Sequence, residues 1–164
     1  MNVFKDVKLV NYSICLILSV LYFAELPHTG WLFHFSHANV FHLCANMIAI
    51  SAIFKAVDYR LLPLAYLVTT VMWFISADNI IGFSSIIYFM WGTRVIRDFR
   101  IIHAVGDKAM KPGMTYALGI GATFLISAIF PSITFSLHFF PFVAGVITSA
   151  TIILYRSFKQ DMTA

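Results

Sequence analysis

The chain has 164 residues and a formal net charge of +4; 60% of its residues are hydrophobic and only 11% are charged. Soluble domains average about 25% charged residues, and a soluble chain this short has too little interior to hide so much apolar surface. The composition therefore excludes an ordinary soluble domain and points to a bilayer as the solvent.

Two cysteines, Cys15 and Cys44, both sit in apolar runs and read as buried small hydrophobes, not as a disulfide. Lys5 and Lys8 precede the first apolar run, as in a signal peptide. That run ends in Phe23-Ala24-Glu25-Leu26-Pro27 without a small-residue cleavage pattern, and more apolar segments follow, so a retained first crossing is expected. Apolar runs at roughly 9–24, 38–54, 61–77, 79–93, 115–130 and 133–155 predict six crossings within one domain, residues 1–164. The expected architecture is all-α: a polytopic transmembrane six-helix bundle. A full crossing takes about 20 residues, and the first, fourth and fifth runs are short by that measure. Short runs imply local thinning of the bilayer or a helix end sheltered inside the bundle. Pro63 opens the third run, where a missing N–H costs little, and Pro112-Gly113 marks the turn before the fifth. There is no repeat, no low-complexity stretch and no second domain.

Six crossings put both termini on one side. With that side cytoplasmic, the inner segments hold Lys5, Lys8, Lys55, Arg60, Arg94, Arg97, Arg100, Lys108, Lys111, Arg156 and Lys159, which is all eleven basic residues. The outer loops hold only Glu25 and Asp78. Basic residues near span ends stay in the cytoplasm, so the +4 charge reads as topology and not as a nucleic-acid surface.

Polar residues inside membrane spans are costly and usually functional. Here they gather at the expected outer ends. The second run carries His37, Asn39, His42 and Asn46; the fourth contains Gly82-Phe83-Ser84-Ser85; the sixth carries His138. Ser84 lies six residues past Asp78 and His138 seven past Pro131, which at ~1.5 Å per helical residue puts both within about 10 Å of the outer surface. A serine hydroxyl is a weak nucleophile until a base takes its proton, and histidine is the usual base. Acyl transfer also needs donors for the developing oxyanion, a task for Asn, His and backbone N–H groups. His42 and Asn46 are four apart and share a helix face; Ser84, Tyr88 and Gly92 share another. Tyr88, one turn below Ser84, is placed to pack against the histidine ring. No acidic residue lies at this depth to form a third member, so the expected arrangement is a Ser–His dyad.

The stretch from His37 to Met47, with His37, His42 and Asn46, resembles the rhomboid second-span pattern H-x4-H-x3-N. Gly82-Phe83-Ser84-Ser85 resembles the rhomboid nucleophile motif G-x-S-G, with Tyr88 and Gly92 at the family's offsets. His138 to Gly145 is similar to the sixth-span motif H-x2-G-x3-G, and Asp58 and Arg60 fall where the family carries an acid and an arginine. The resemblance runs from about residue 31 to the end. It implies a rhomboid-like fold and an intramembrane serine endopeptidase that cuts transmembrane substrates near the outer face. By the same resemblance Ser84 is the nucleophile and His138 the general base. His42, Asn46 and the Ser84 N–H form the oxyanion hole, with His37, Gly82, Tyr88 and Gly145 in support. It implies no metal and no organic cofactor. The implied partners are transmembrane protein substrates and the lipid bilayer, without nucleic acid; the clean basic bias and the small size make a bacterial inner membrane the expected location.

The chain departs from the pattern at three places. Ser85 replaces the glycine after the nucleophile, Pro141 replaces the first glycine after the histidine, and Trp31 is followed by Leu32 where the family has Trp-Arg in a larger first loop. Pro141 removes an N–H and is harmless only in a helix's first turn. Two other readings compete. One is a catalytically inactive rhomboid-fold protein that binds client transmembrane segments. The other is a metal site or transporter built from His34, His37 and His42, whose spacings of three and five do not share one helical face. Tyr66 and the many phenylalanines read as lipid contacts.

Overall fold

Runs rich in Leu, Ile, Ala, Val, Met and Phe favour helix once one face is packed. In the computed structural model, which describes residues 3–24, 30–53, 57–75, 82–105 and 135–162, the regular elements are all helical. They are α1 (Val3–Phe23), α2 (Val40–Ile53), α3 (Leu62–Ile75), α4 (Ser84–Val105) and α5 (Ser136–Asp161), with 3₁₀ turns at Gly30–Phe35 and Tyr59–Leu61.

Local chemistry sets the starts. The Asn39 side chain accepts the His42 N–H at 2.9 Å, which caps α2 at Val40. Asp58 caps the Tyr59–Leu61 turn by accepting the Arg60 N–H at 3.1 Å, and that turn leads straight into α3. Pro63 is the second residue of α3, among the positions whose N–H has no intrahelical acceptor.

The expected six-span bundle does not stand. Among the described residues, one helix is long and apolar enough to cross a membrane, the His138–Asp161 stretch of α5. A crossing of ~30 Å needs about 20 helical residues. The apolar stretches Lys8–Phe23, Val40–Ser51 and Tyr59–Ile75 fall in the range of 10–17 residues. α4 has 22 residues, but it does not end near 93: it continues through Arg94, Arg97, Asp98 and Arg100, too many charges for a span. The expected fifth run, 115–130, lies outside the described residues. Without six crossings, the parity that placed both termini on one face is gone.

α4 is the centre of the molecule. Every residue from Ser85 to Thr93 is buried, as befits a helix apolar on all sides. It packs most extensively on α5 and also meets α2 and α3; α1 lies on α2. Leu18, Leu43, Ile50, Ala65, Ile86, Phe89 and Met90 form the core between them. The outer faces carry large exposed apolar side chains: Leu9, Tyr12 and Leu16 on α1, Phe41 and Ile48 on α2, Phe74 and Ile75 on α3, and Ile147, Leu154 and Phe158 on α5. The cysteines are both free, and only Cys15 is buried; Cys44 faces outward on α2, where a buried position was expected.

The α4–α5 seam is closed by two glycines. A Cβ at Gly92 would run into the Phe142 carbonyl, and a Cβ at Gly145 into the Phe89 carbonyl. Each helix thus lays its backbone against the other's glycine, the closest approach two helices can make. Pro141 sits beyond the first turn of α5, fully buried. Its position is therefore not the harmless one, and α5 forgoes one backbone hydrogen bond there.

Candidate functional site

α4 begins at Ser84 and α5 at Ser136, so the close seam brings the first turns of both helices together. The result is a contact between residues 54 apart in the chain: His138 Nε2 lies 3.0 Å from Ser84 Oγ. The Tyr88 ring stacks on the imidazole, with centroids 4.4 Å apart and planes inclined by 28°. Ser84 and His138 are both half-buried. As the first residue of α4, Ser84 offers a backbone N–H without an intrahelical acceptor, at the positive end of the helix dipole.

The turn before Ser84 needs glycine for two reasons. Gly82 has φ of 124°, a backbone conformation that side-chain-bearing residues rarely adopt. A Cβ there would also stand 2.7 Å from His42 Cε1 and 2.9 Å from His42 Nε2, with Asn46 Nδ2 at 3.6 Å. His42 and Asn46, one turn apart on α2, therefore face the turn before Ser84 across the bare glycine. The Gly82 N–H donates to the Phe33 carbonyl at 2.9 Å, which fastens the turn to the segment between α1 and α2.

That segment contributes two buried histidines. His37 Nδ1 is 3.3 Å from the Phe35 carbonyl and its Nε2 is 2.9 Å from Asn46 Nδ2. The His37 and His42 rings meet edge to face at 5.1 Å. His34 Nε2 lies 3.1 Å from Thr70 Oγ1 and 3.2 Å from Thr69 Oγ1, and its Nδ1 lies 3.4 Å from Ser85 Oγ. Each threonine hydroxyl has one proton. Thr69 donates its proton to Ala65 O at 2.8 Å and Thr70 donates its own to Tyr66 O at 2.7 Å. Both oxygens must therefore accept, so His34 carries its hydrogen on Nε2 and its Nδ1 accepts from Ser85. Burial pushes the His34 imidazole down to about 3. Burial, helped by the neighbouring His42, pushes His37 down to about 4. Both rings are neutral at physiological pH.

The geometry brings Ser84, His138, His42, Asn46, Gly82 and Tyr88 to one place, with Gly145 at the seam that sets the distance. It splits the three histidines weighed as metal ligands: His34 turns to α3 and α4, while His37 turns to Asn46. Among the described residues, no three His, Cys, Asp or Glu side chains gather to hold a metal ion. Tyr66, read as a lipid contact, instead donates its hydroxyl to the Trp31 carbonyl at 2.6 Å and lays its ring 4.9 Å from His34. The roles of Thr69, Thr70 and Ser85 around His34 went unread in the sequence. The signal was there: two adjacent threonines inside an apolar run have hydroxyls that need partners.

Comparison of the chain with protein-family models, with curated proteins and with solved structures finds no match.

Proposed function

We propose that the chain is a serine endopeptidase of the rhomboid type that cuts membrane-embedded polypeptide segments, working in a bacterial inner membrane. The observation that carries this reading is the 3.0 Å approach of His138 Nε2 to Ser84 Oγ, beside two donor side chains across Gly82. The helix of His138 that is long enough to cross a bilayer, and the exposed apolar faces of the other helices, support a membrane setting.

Ser84 Oγ attacks the scissile carbonyl carbon while its proton passes to His138 Nε2. Tyr88 holds the ring face-on during the transfer. The carbonyl oxygen, now negative, is met by the His42 and Asn46 side chains and the Ser84 N–H. The C–N bond breaks as His138 returns the proton to the leaving amine. A water then repeats the sequence on the acyl-enzyme, with His138 as base, and restores Ser84. A helical substrate hides its carbonyls in hydrogen bonds, so the cut segment must unwind first. Segments with helix-breaking residues are the expected substrates.

Purified protein with Ser84→Ala or His138→Ala should lose cleavage of a single-span model substrate by at least about 10⁴-fold. A fluorophosphonate probe should label wild-type Ser84 and neither variant. Unchanged cleavage by Ser84→Ala would end the proposal. A wild type that binds client segments without cutting them would favour the inactive client-binding reading, to which the interior position of Pro141 gives some support. Metal chelators should leave the activity unchanged.

A further inference from the structure

Asn46 is a useful oxyanion donor only if its NH₂, and not its carbonyl oxygen, is turned toward the site. An amide side chain is nearly symmetric in shape, so packing alone does not choose between the two orientations. The surrounding hydrogen bonds do. The Phe35 carbonyl, 3.3 Å from His37 Nδ1, can only accept, so the Nδ1 of the neutral ring carries the hydrogen. His37 Nε2 is then a bare lone pair, and what meets it at 2.9 Å must donate: Asn46 Nδ2. The opposite tautomer would set the Nδ1 lone pair against the Phe35 carbonyl and call for the Asn46 oxygen in place of its NH₂. Both His37 and Asn46 are buried, so no solvent competes for these bonds. Nδ2 has two hydrogens, and His37 takes one. The same nitrogen lies 3.6 Å from the place a Cβ would take on Gly82, on the side of the nucleophile turn.

We infer that His37 is a positioning residue that acts through Asn46: a relay from the Phe35 carbonyl through the His37 tautomer fixes the Asn46 amide with its second N–H presented to the oxyanion. The inference rests on the proposed peptidase reading and deepens it. It predicts a specific pattern of loss. Removing the acceptor lets the amide rotate, which weakens transition-state binding but leaves the rest of the substrate contacts in place.

The test is a double-mutant cycle on purified protein with kcat and KM measured separately. His37→Leu should lower kcat by about 10- to 100-fold with little change in KM, part of the roughly 10²–10³ that an oxyanion donor supplies. His37→Gln, whose amide oxygen reaches the place of Nε2, should recover most of that loss. In an Asn46→Ala background His37→Leu should cost less than about 3-fold, because the residue it acts through is already gone. Equal losses for Leu and Gln, or an undiminished loss in the Asn46→Ala background, would overturn the inference and leave His37 a packing residue. If His37→Leu does not fold, His37→Asn, whose shorter side chain cannot reach Asn46, takes its place in the cycle. Fluorophosphonate labelling of wild-type Ser84 separates the two levels. A labelled, cleaving wild type with an additive cycle sinks only the His37 relay, whereas an unlabelled, inert wild type sinks the peptidase reading and the relay with it.

Discussion

The two halves of the site are held by opposite means. On the α5 side, Ser84 and His138 meet because backbone lies against glycine at Gly92 and Gly145, a contact set by shape and without a side chain to adjust it. On the α2 side, His42 and Asn46 face Gly82, and the segment at residues 33–37 binds Asn46 through His37 and Gly82 through the Phe33 carbonyl, by hydrogen bonds whose donors and acceptors each have one workable assignment. A steric seam fails abruptly when it is filled. A polar network fails by degrees and responds to protonation. The contrast teaches where damage should be total and where it should be graded.

The largest effect is expected at the seam. Gly145→Ala puts a methyl into the Phe89 carbonyl, and α5 can only back away. We expect the His138–Ser84 distance to open and cleavage to fall by about 10²-fold or more, since misplacement of about 1 Å can cost that much. Overpacking should also lower stability by roughly 1–3 kcal/mol. Activity and thermal unfolding of the variant in detergent check both, and an active, stable Gly145→Ala protein would erase the contrast between the two halves.

A smaller loss is expected where the seam gives way to a ring contact. Tyr88→Ala removes the plane on which His138 rests, and aromatic stacking of this kind is worth about 0.5–1.5 kcal/mol. That converts to a loss in kcat of roughly 10-fold or less. Tyr88→Phe keeps the ring and should stay near wild type; equal losses for Ala and Phe would show that the phenol group and not the stacked face matters.

A different kind of expectation concerns acid. His34 is neutral in the fold, down to about 3, against an ordinary value of 6.5. Between those values the unfolded chain binds a proton that the folded one refuses, so stability rises with pH across that window and is complete above it. His37, held down to about 4, acts in the same direction. Thermal unfolding measured from pH 7 to 4 should therefore show a progressive loss of stability. His34→Asn, which can still accept from Ser85 but does not titrate, should flatten that dependence. An unchanged slope in His34→Asn would remove His34 from the cause.

What was legible in the chain differs for the site and for the fold. Ser84, Tyr88 and Gly92 at a spacing of four, and His42 with Asn46, announce shared helix faces whatever surrounds those helices. The number of crossings was not legible in the same way. An apolar run reports burial, and burial against protein or against lipid leaves the same residues behind. α3, with Ala65, Thr69 and Thr70 turned inward, spends its apolar character partly on the core and reaches only Leu62–Ile75. α4 outlasts its apolar run because arginine continues a helix as readily as it ends a span. The His34 node was hidden for another reason: its partners come from residues 35, 36 and 51 positions away, and no spacing rule reaches that far.

Pro141 has one more consequence. Its ring replaces the rung that would have joined the opening turn of α5 to the body of the helix. The turn that bears His138 is thus joined to the rest of α5 by one hydrogen bond fewer, and it also rests on the neighbour it touches, through Ser84 and the face of Tyr88. His138 is therefore held from two helices at once. Only one rung is missing, so a displacement of the long shaft of α5 still carries the imidazole with it and changes its approach to Ser84.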